Sequence, residues 1–202
     1  MMQSALIAEP VVAVATLPAR ATKRYYDPGD TSEWYTPGEY IEAARAAMGG
    51  IDLDPASCAY ANKTVQAATY FDRAADGLRR QWHGRVWLNP PYSADGGKGK
   101  GFAAKWAAKL LAEYEAGRIE QAVLLVNLGA AYQPSGQAIA RVGAACMVGK
   151  RIKFISGATG LPEASPNQGN MFFYLGERRR QFAAEFERFG VVLEAVRDGA
   201  TI

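Results

Sequence analysis

Residues Val86-Trp87-Leu88-Asn89-Pro90-Pro91-Tyr92-Ser93 join an apolar strand to an amide, a rigid Pro-Pro corner and an aromatic ring. Four-residue motifs of this kind also occur as plain turns, so the chemistry must carry the reading. The exocyclic amine of adenine is a poor nucleophile, because its lone pair is delocalised into the ring. Two acceptors set against its N–H bonds favour a tetrahedral nitrogen and localise that pair. Asn89 supplies a side-chain oxygen. Pro90 supplies a backbone carbonyl that the corner with Pro91 holds in direction, and Tyr92 offers a face for stacking. Such a site needs no tuned general base and works by positioning and preorganised dipoles.

Two acidic segments precede it. In Gly50-Ile51-Asp52-Leu53-Asp54-Pro55-Ala56-Ser57 a strand end carries carboxylates. A carboxylate placed there can accept both hydroxyls of a ribose, or Asp54 can simply cap the next element through an Asp-Pro turn. Asp76-Gly77-Leu78, taken alone, is a turn. Other chemistries are poorly served. The chain has one histidine, His83, and two cysteines, Cys58 and Cys146. These scattered groups make neither a zinc site nor a nucleophilic triad, and His83 reads as a turn residue before a strand.

The elements that must position these residues alternate. A helix is predicted from Pro37, capped by Thr36 and ended by Gly49-Gly50. Strands follow at 51–54 and 85–88, the second stopped by Pro90-Pro91. An amphipathic helix spans 102–116, with Phe102, Trp106, Leu110 and Leu111 on one face. A buried strand at 121–128, a short helix at 135–141 and strands at 144–148 and 151–155 come next. A polar loop at 157–169, a strand at 171–175, a helix at 177–189 and a strand at 191–196 complete the series. This alternation predicts an α/β sandwich, a mostly parallel sheet with helices on both faces, whose ligands bind beyond the carboxyl ends of the strands.

The 202 residues suit one domain over 31–202, behind a loosely ordered leader over 1–30. Apolar residues make up 49% and no run is long enough to span a bilayer, so a cytoplasmic protein is expected. The net charge of +3 leans toward an anionic partner. Lys98, Lys100, Arg151 and Lys153 are candidate phosphate contacts, and the run Arg178 to Arg180 reads as a solvated helix start. Gly96 to Gly101 fails the spacing of a P-loop. It reads equally as a basic loop beside a substrate and as an uncontacted surface loop.

Taken together, Trp34-Tyr35-Thr36-Pro37, Ile51 to Ser57, Asp76-Gly77-Leu78 with Trp82, Asn89 to Ser93 and Arg151-Ile152-Lys153-Phe154 occur in the order shown by the phage-type DNA N6-adenine methyltransferases. The chain resembles that Dam-like family from about Glu33 to Gly190. The resemblance implies a class I methyltransferase fold, S-adenosylmethionine as cofactor and duplex DNA as substrate. It implies direct in-line methyl transfer to a flipped adenine, in a bacterial cell, by a protein of phage or prophage type. Carried over by position, Tyr35, Thr36 and Pro37 lie near the methionine end of the cofactor. Asp52 or Asp54, with Pro55, holds its ribose or amino group, Asp76 and Leu78 face its adenine, and Asn89 to Tyr92 hold the target base. No metal and no obligate protein partner are implied. The glycine-rich cofactor loop usual in this superfamily is absent, and the Asp52–Ser57 segment aligns either with that loop or with the acidic strand after it. The same site chemistry also suits adenine in RNA or a protein glutamine amide, and a lapsed DNA-binding protein is a further alternative.

Overall fold

The computed structural model describes residues 33–91, 101–164 and 169–195. In chain order the elements begin with β1 (Trp34–Tyr35), α1 (Gly38–Met48), β2 (Leu53–Asp54), α2 (Asn62–Val65) and β3 (Thr69–Tyr70). A 3-10 turn (Gly77–Arg79), β4 (Gly84–Leu88), α3 (Phe102–Glu115) and β5 (Ile119–Asn127) follow. Then come α4 (Leu128–Ala131), α5 (Pro134–Val142), β6 (Ala144–Val148), β7 (Lys153–Ser156) and β8 (Pro162–Ala164). The last are β9 (Asn170–Leu175), α6 (Arg179–Phe186) and β10 (Gly190–Glu194).

Seven strands form one sheet in the order β10-β6-β9-β5-β4-β2-β3. From β3 to β5 the pairings are parallel. Beyond β5 they are antiparallel, because β9 runs against both β5 and β6, and β10 runs against β6. The sheet is therefore mixed rather than mostly parallel. A parallel β6–β9 pair would require a crossover element. Among the described residues, the chain between them instead builds β7 and β8, which join β1 in a second, antiparallel sheet of order β1-β7-β8. Trp34 pairs with Ser156 and Tyr35 with Ile155.

The central strands are buried on both faces, so they read as continuous apolar runs. Trp87, Val123, Leu125, Phe172 and Tyr174 face α1 and α6, where Phe182 and Phe186 stack at 4.4 Å. Val86, Leu88, Leu124, Val126 and Phe173 face the other way, toward Trp106, Leu110 and Ile139 of α3 and α5. No helix of the described residues is long and apolar enough to cross a membrane.

α1 ends where the sequence says it should. Gly49 takes φ 81°, and its N–H returns to the Arg45 carbonyl, a left-handed cap that glycine adopts without penalty. Its start differs from the expectation. Pro37 is the N-cap and no side chain caps the first turn, since the Thr36 hydroxyl accepts a bond from Asn89 instead. β2 begins just after α1 ends, so the first turn of α1 lies at the carboxyl edge of the sheet.

Candidate active site

Four polar residues terminate four neighbouring strands on that edge: Asp54 on β2, Asn89 just past β4, Asn127 on β5 and Asn170 at the start of antiparallel β9. Strand alternation turns all four side chains to the α1 side. Leu53 packs on the opposite face, and Trp87, Leu125 and Phe172, each two residues from its asparagine, face α1. The chain leaves β2 for β3 on one side and returns to β4 on the other, so a topological switch point lies between Asp54 and Asn89. Open α/β sheets bind ligands there.

Asn89 is the most constrained of the four. Its Nδ2 donates to Thr36 Oγ1 at 3.0 Å, and Thr36 is itself buried. The amide is thereby held by its nitrogen end. Its Oδ1 is buried with no hydrogen-bond partner, an arrangement that costs about 1–3 kcal/mol in the absence of a ligand. Pro90 is buried and Pro91 exposed. Tyr92, Lys98 and Lys100 lie outside the described residues, as do residues 1–32. Tyr35 is buried, its ring 4.7 Å from that of Tyr60, and burial pushes its phenol pKa well up. Pro37 is half-buried beside it.

Asp54 is 3% exposed. Its Oδ1 accepts the Ala56 N–H at 3.2 Å, the Asx turn that Asp-Pro-Ala encodes. Burial raises its pKa from 3.8 to about 7, against the smaller opposing pull of the nearby Ser57 hydroxyl and the Ala56 N–H. Ser57 Oγ does not reach hydrogen-bonding geometry and is buried without a partner. Pro55 is buried too, and its carbonyl meets Gly77 so closely that a Cβ there would sit 2.0 Å from the oxygen. Only glycine permits this approach, which seats Asp76-Gly77-Leu78 against the end of β2. Trp82 locks the contact, with Nε1 donating to the Gly77 carbonyl at 2.8 Å. Asp76 has φ 51°, and its carboxylate pairs with exposed Arg79 at 3.2 Å. Leu78 packs half-buried on the α3 side.

The structure separates Asp52 from this group. Asp52 Oδ1 accepts from Arg85 Nη2 at 2.7 Å, and its Oδ2 from both the Arg85 backbone N–H and Nε at 2.8 Å. Arg85 Nη1 also donates to the Gly49 carbonyl. Those bonds lie at the amino end of β4, whereas Asn89 follows its carboxyl end. Hydrogen bonding to Arg85 holds the Asp52 pKa below the usual carboxylate range. Asp52 therefore clasps the start of two strands.

Sequence reasoning overlooked two residues on the carboxyl edge. Asp72 follows β3, next to the end of β2, and its Oδ1 accepts the Ala75 N–H at 2.8 Å. The signal was Thr69-Tyr70-Phe71-Asp72, a short strand ending in an acid 18 residues after Asp54. Asn170 is 5% exposed and its Oδ1 has no partner; an asparagine opening a strand gives no sequence signal. Arg151 and Lys153 are exposed, their side chains alternating with buried Ile152 and Phe154 beyond β6. Arg178 to Arg180 stand at the start of α6, at the opposite edge.

No curated protein and no solved structure matches the chain. A family model does, that of DNA N-6-adenine-methyltransferase (Dam), over residues 26–196. With most of its length matched, the chain belongs to the DNA N-6-adenine-methyltransferase (Dam) family.

Proposed function

We propose that this chain moves a methyl group from S-adenosylmethionine to N6 of adenine at a specific sequence in duplex DNA, with the base turned out of the helix. The family supports adenine methylation of DNA. The observation that carries the site is Asn89 Oδ1, a buried acceptor without a partner on an amide held at its other end. A donor from outside the protein satisfies it, and the amine of an extrahelical adenine is such a donor.

The sheet divides into two halves about Asn89, which supports a class I methyltransferase fold. The cofactor supplies a methyl group on a positively charged sulfur, and the β2–β3 side offers groups that suit it. Asp72, at the end of the second parallel strand, is placed to accept ribose hydroxyls. Asp54, buried without a cationic partner among the described residues, favours a positive neighbour. Asp76 and Leu78, on either side of the Gly77 approach to Pro55, suit an adenine ring, and Tyr35, Thr36 and Pro37 close the α1 side. Asp52 has no place in this assignment, because its carboxylate is occupied by Arg85 at the other edge.

On the target side, Asn89 Oδ1 and the Pro90 carbonyl accept from the amine and favour its tetrahedral form, while Tyr92 stacks on the base. Lys98 and Lys100 are assigned to phosphate. The test is transfer of labelled methyl from S-adenosylmethionine to duplex DNA, RNA and protein in parallel, followed by mapping of the modified base. Label on N6 of adenine in DNA alone is expected. Label confined to RNA or to glutamine would overturn the substrate, and no transfer with intact DNA binding would leave a binding protein.

A further inference from the structure

Asn170 has a feature that the assignment above leaves unused. It is 5% exposed, it opens β9, and its Oδ1 is buried with no partner. An isolated orphan of this kind costs stability, and its place in the sheet indicates what offsets the cost. Asn170 pairs in register with Asn127 of β5, while Leu88 pairs with Leu124. Asn170 thus lies two strands from Asn89 and about two residues farther along, so their Cα atoms are separated by roughly 12 Å at ordinary strand spacing and rise. Both amides point to the α1 side of the same edge. That separation is of the order spanned by a purine hydrogen-bonded on two sides.

Asn127 does not compete for the space. Its Oδ1 accepts the Ala130 N–H at 2.8 Å and caps α4, and the Leu128 N–H is taken by the Gly169 carbonyl. Asn170 is left as the unengaged amide on the side of Asn89 away from Asp54.

We propose that Asn170 hydrogen-bonds a ring nitrogen of the extrahelical adenine and is a specificity-determining residue of the base pocket. The inference rests on the methyl-transfer reading above. With the N6 hydrogens held by Asn89 and Pro90, the remaining edge groups of adenine are acceptors. An amide can turn over about its last bond to present its Nδ2 donor to one of them.

The test pairs a side-chain deletion with an atom deletion in the base. Single-turnover methylation is measured for wild type and Asn170→Leu on duplexes carrying adenine, 7-deazaadenine, 3-deazaadenine or 1-deazaadenine at the mapped target position. Asn170→Leu should slow methylation of adenine by about tenfold, the worth of one such bond. On the analogue lacking the contacted nitrogen, the variant and wild type should react alike. Cofactor binding should be unchanged. An equal loss on all four substrates would overturn the contact and leave Asn170 a packing residue. Asn170→Ser carries the same test if the leucine variant does not fold. A wild type that methylates no DNA rejects the methyl-transfer reading itself, an outcome distinct from additive losses in an active enzyme.

Discussion

The two edges of the main sheet treat polar groups in opposite ways. At the amino edge, strong donors and acceptors find partners within the protein. Asp52 is bonded to Arg85, Gln121 joins the Met48 carbonyl to the Tyr174 hydroxyl, and Arg179 reaches the Val142 carbonyl. Nearby, the buried carboxylate of Glu113 holds Lys109 and Arg118. At the carboxyl edge the pattern reverses. Among the described residues, the buried side-chain atoms without partners are Ser57 Oγ, Asn89 Oδ1, Asn170 Oδ1 and Trp106 Nε1. The first three sit at or just past strand ends on this edge, and the Trp106 ring lies 3.3 Å from where a Cβ on Gly77 would be. Asp54 adds a carboxyl whose charge burial disfavours. Unsatisfied buried groups are rare enough to require a reason. Their collection along one edge concentrates the cost of unsatisfied groups at the proposed site, whereas the amino edge satisfies its groups within the protein.

The largest test of this contrast is Asp54→Asn. The folded chain holds the Asp54 proton up to about pH 7, whereas the ordinary value is 3.8. Stability is therefore full below the lower value and is lost as pH rises through the window between them. The asparagine variant should lack this loss, which in wild type amounts to on the order of 4 kcal/mol between pH 4 and pH above 7. The same variant should bind S-adenosylmethionine more weakly. Denaturant unfolding from pH 4 to 8.5 reads the first effect and calorimetry the second. A stability curve of unchanged shape would remove Asp54 from the unsatisfied edge.

Asn89→Ala comes next. It deletes an acceptor whose value rises as the amine becomes tetrahedral and positive. Single-turnover methylation at saturating cofactor should fall by about 10²–10³, with cofactor affinity nearly unchanged. Asn89→Asp keeps an acceptor and should retain part of the rate. Methylation by the alanine variant at the wild-type rate would reduce the Asn-Pro-Pro segment to an ordinary turn.

The same contrast explains what could be read from the sequence. Elements that bury an apolar face were legible, because periodicity reports packing: α1, α3, β5 and β9 lie within two residues of their expected ends. β1, β3 and β8, of two or three residues each, carry no periodicity and are strands only because neighbours pair with them. The antiparallel direction of β9 depends on where the chain returns, which no local pattern encodes. Asn89 was legible because its corner is a sequence motif. Asp52 and Asp54 were not separable, since adjacent alternate positions in Ile51-Asp52-Leu53-Asp54 look alike until Arg85 is seen to take one of them. Asp72 and Asn170 were missed because their meaning comes from neighbouring strands far off in sequence.

Asp52→Ala should give the converse of Asp54→Asn. It strips Arg85 of a bidentate partner at the amino edge, and a loss of about 1–3 kcal/mol of stability is expected for a hydrogen-bonded charge left in a half-buried place. At temperatures well below its melting point the variant should bind cofactor and methylate DNA as wild type does. A selective loss of cofactor affinity in a variant of unchanged stability would return Asp52 to the site.

The smallest effect, and the one that tests how DNA meets the carboxyl edge, concerns exposed cations. Arg151 and Lys153 follow β6, whose direction matches that of β5 because both run against β9, so they lie toward the carboxyl edge. Arg178 and Arg180 follow the end of β9 and lie on the far side. Phosphate contacts release counterions, so each one lost flattens the slope of log affinity against log salt by about one unit. Arg151→Ala and Lys153→Ala should each do so, with only a modest loss of affinity at moderate salt. Arg178→Ala and Arg180→Ala should leave the slope unchanged, although both remove the same charge from the same molecule. Net charge alone predicts equal effects from all four, so the difference between the pairs isolates position from charge. If the Arg178 and Arg180 variants flattened the slope and the Arg151 and Lys153 variants did not, DNA would approach the edge where polar groups are already satisfied, and the division of labour between the two edges would have to be abandoned.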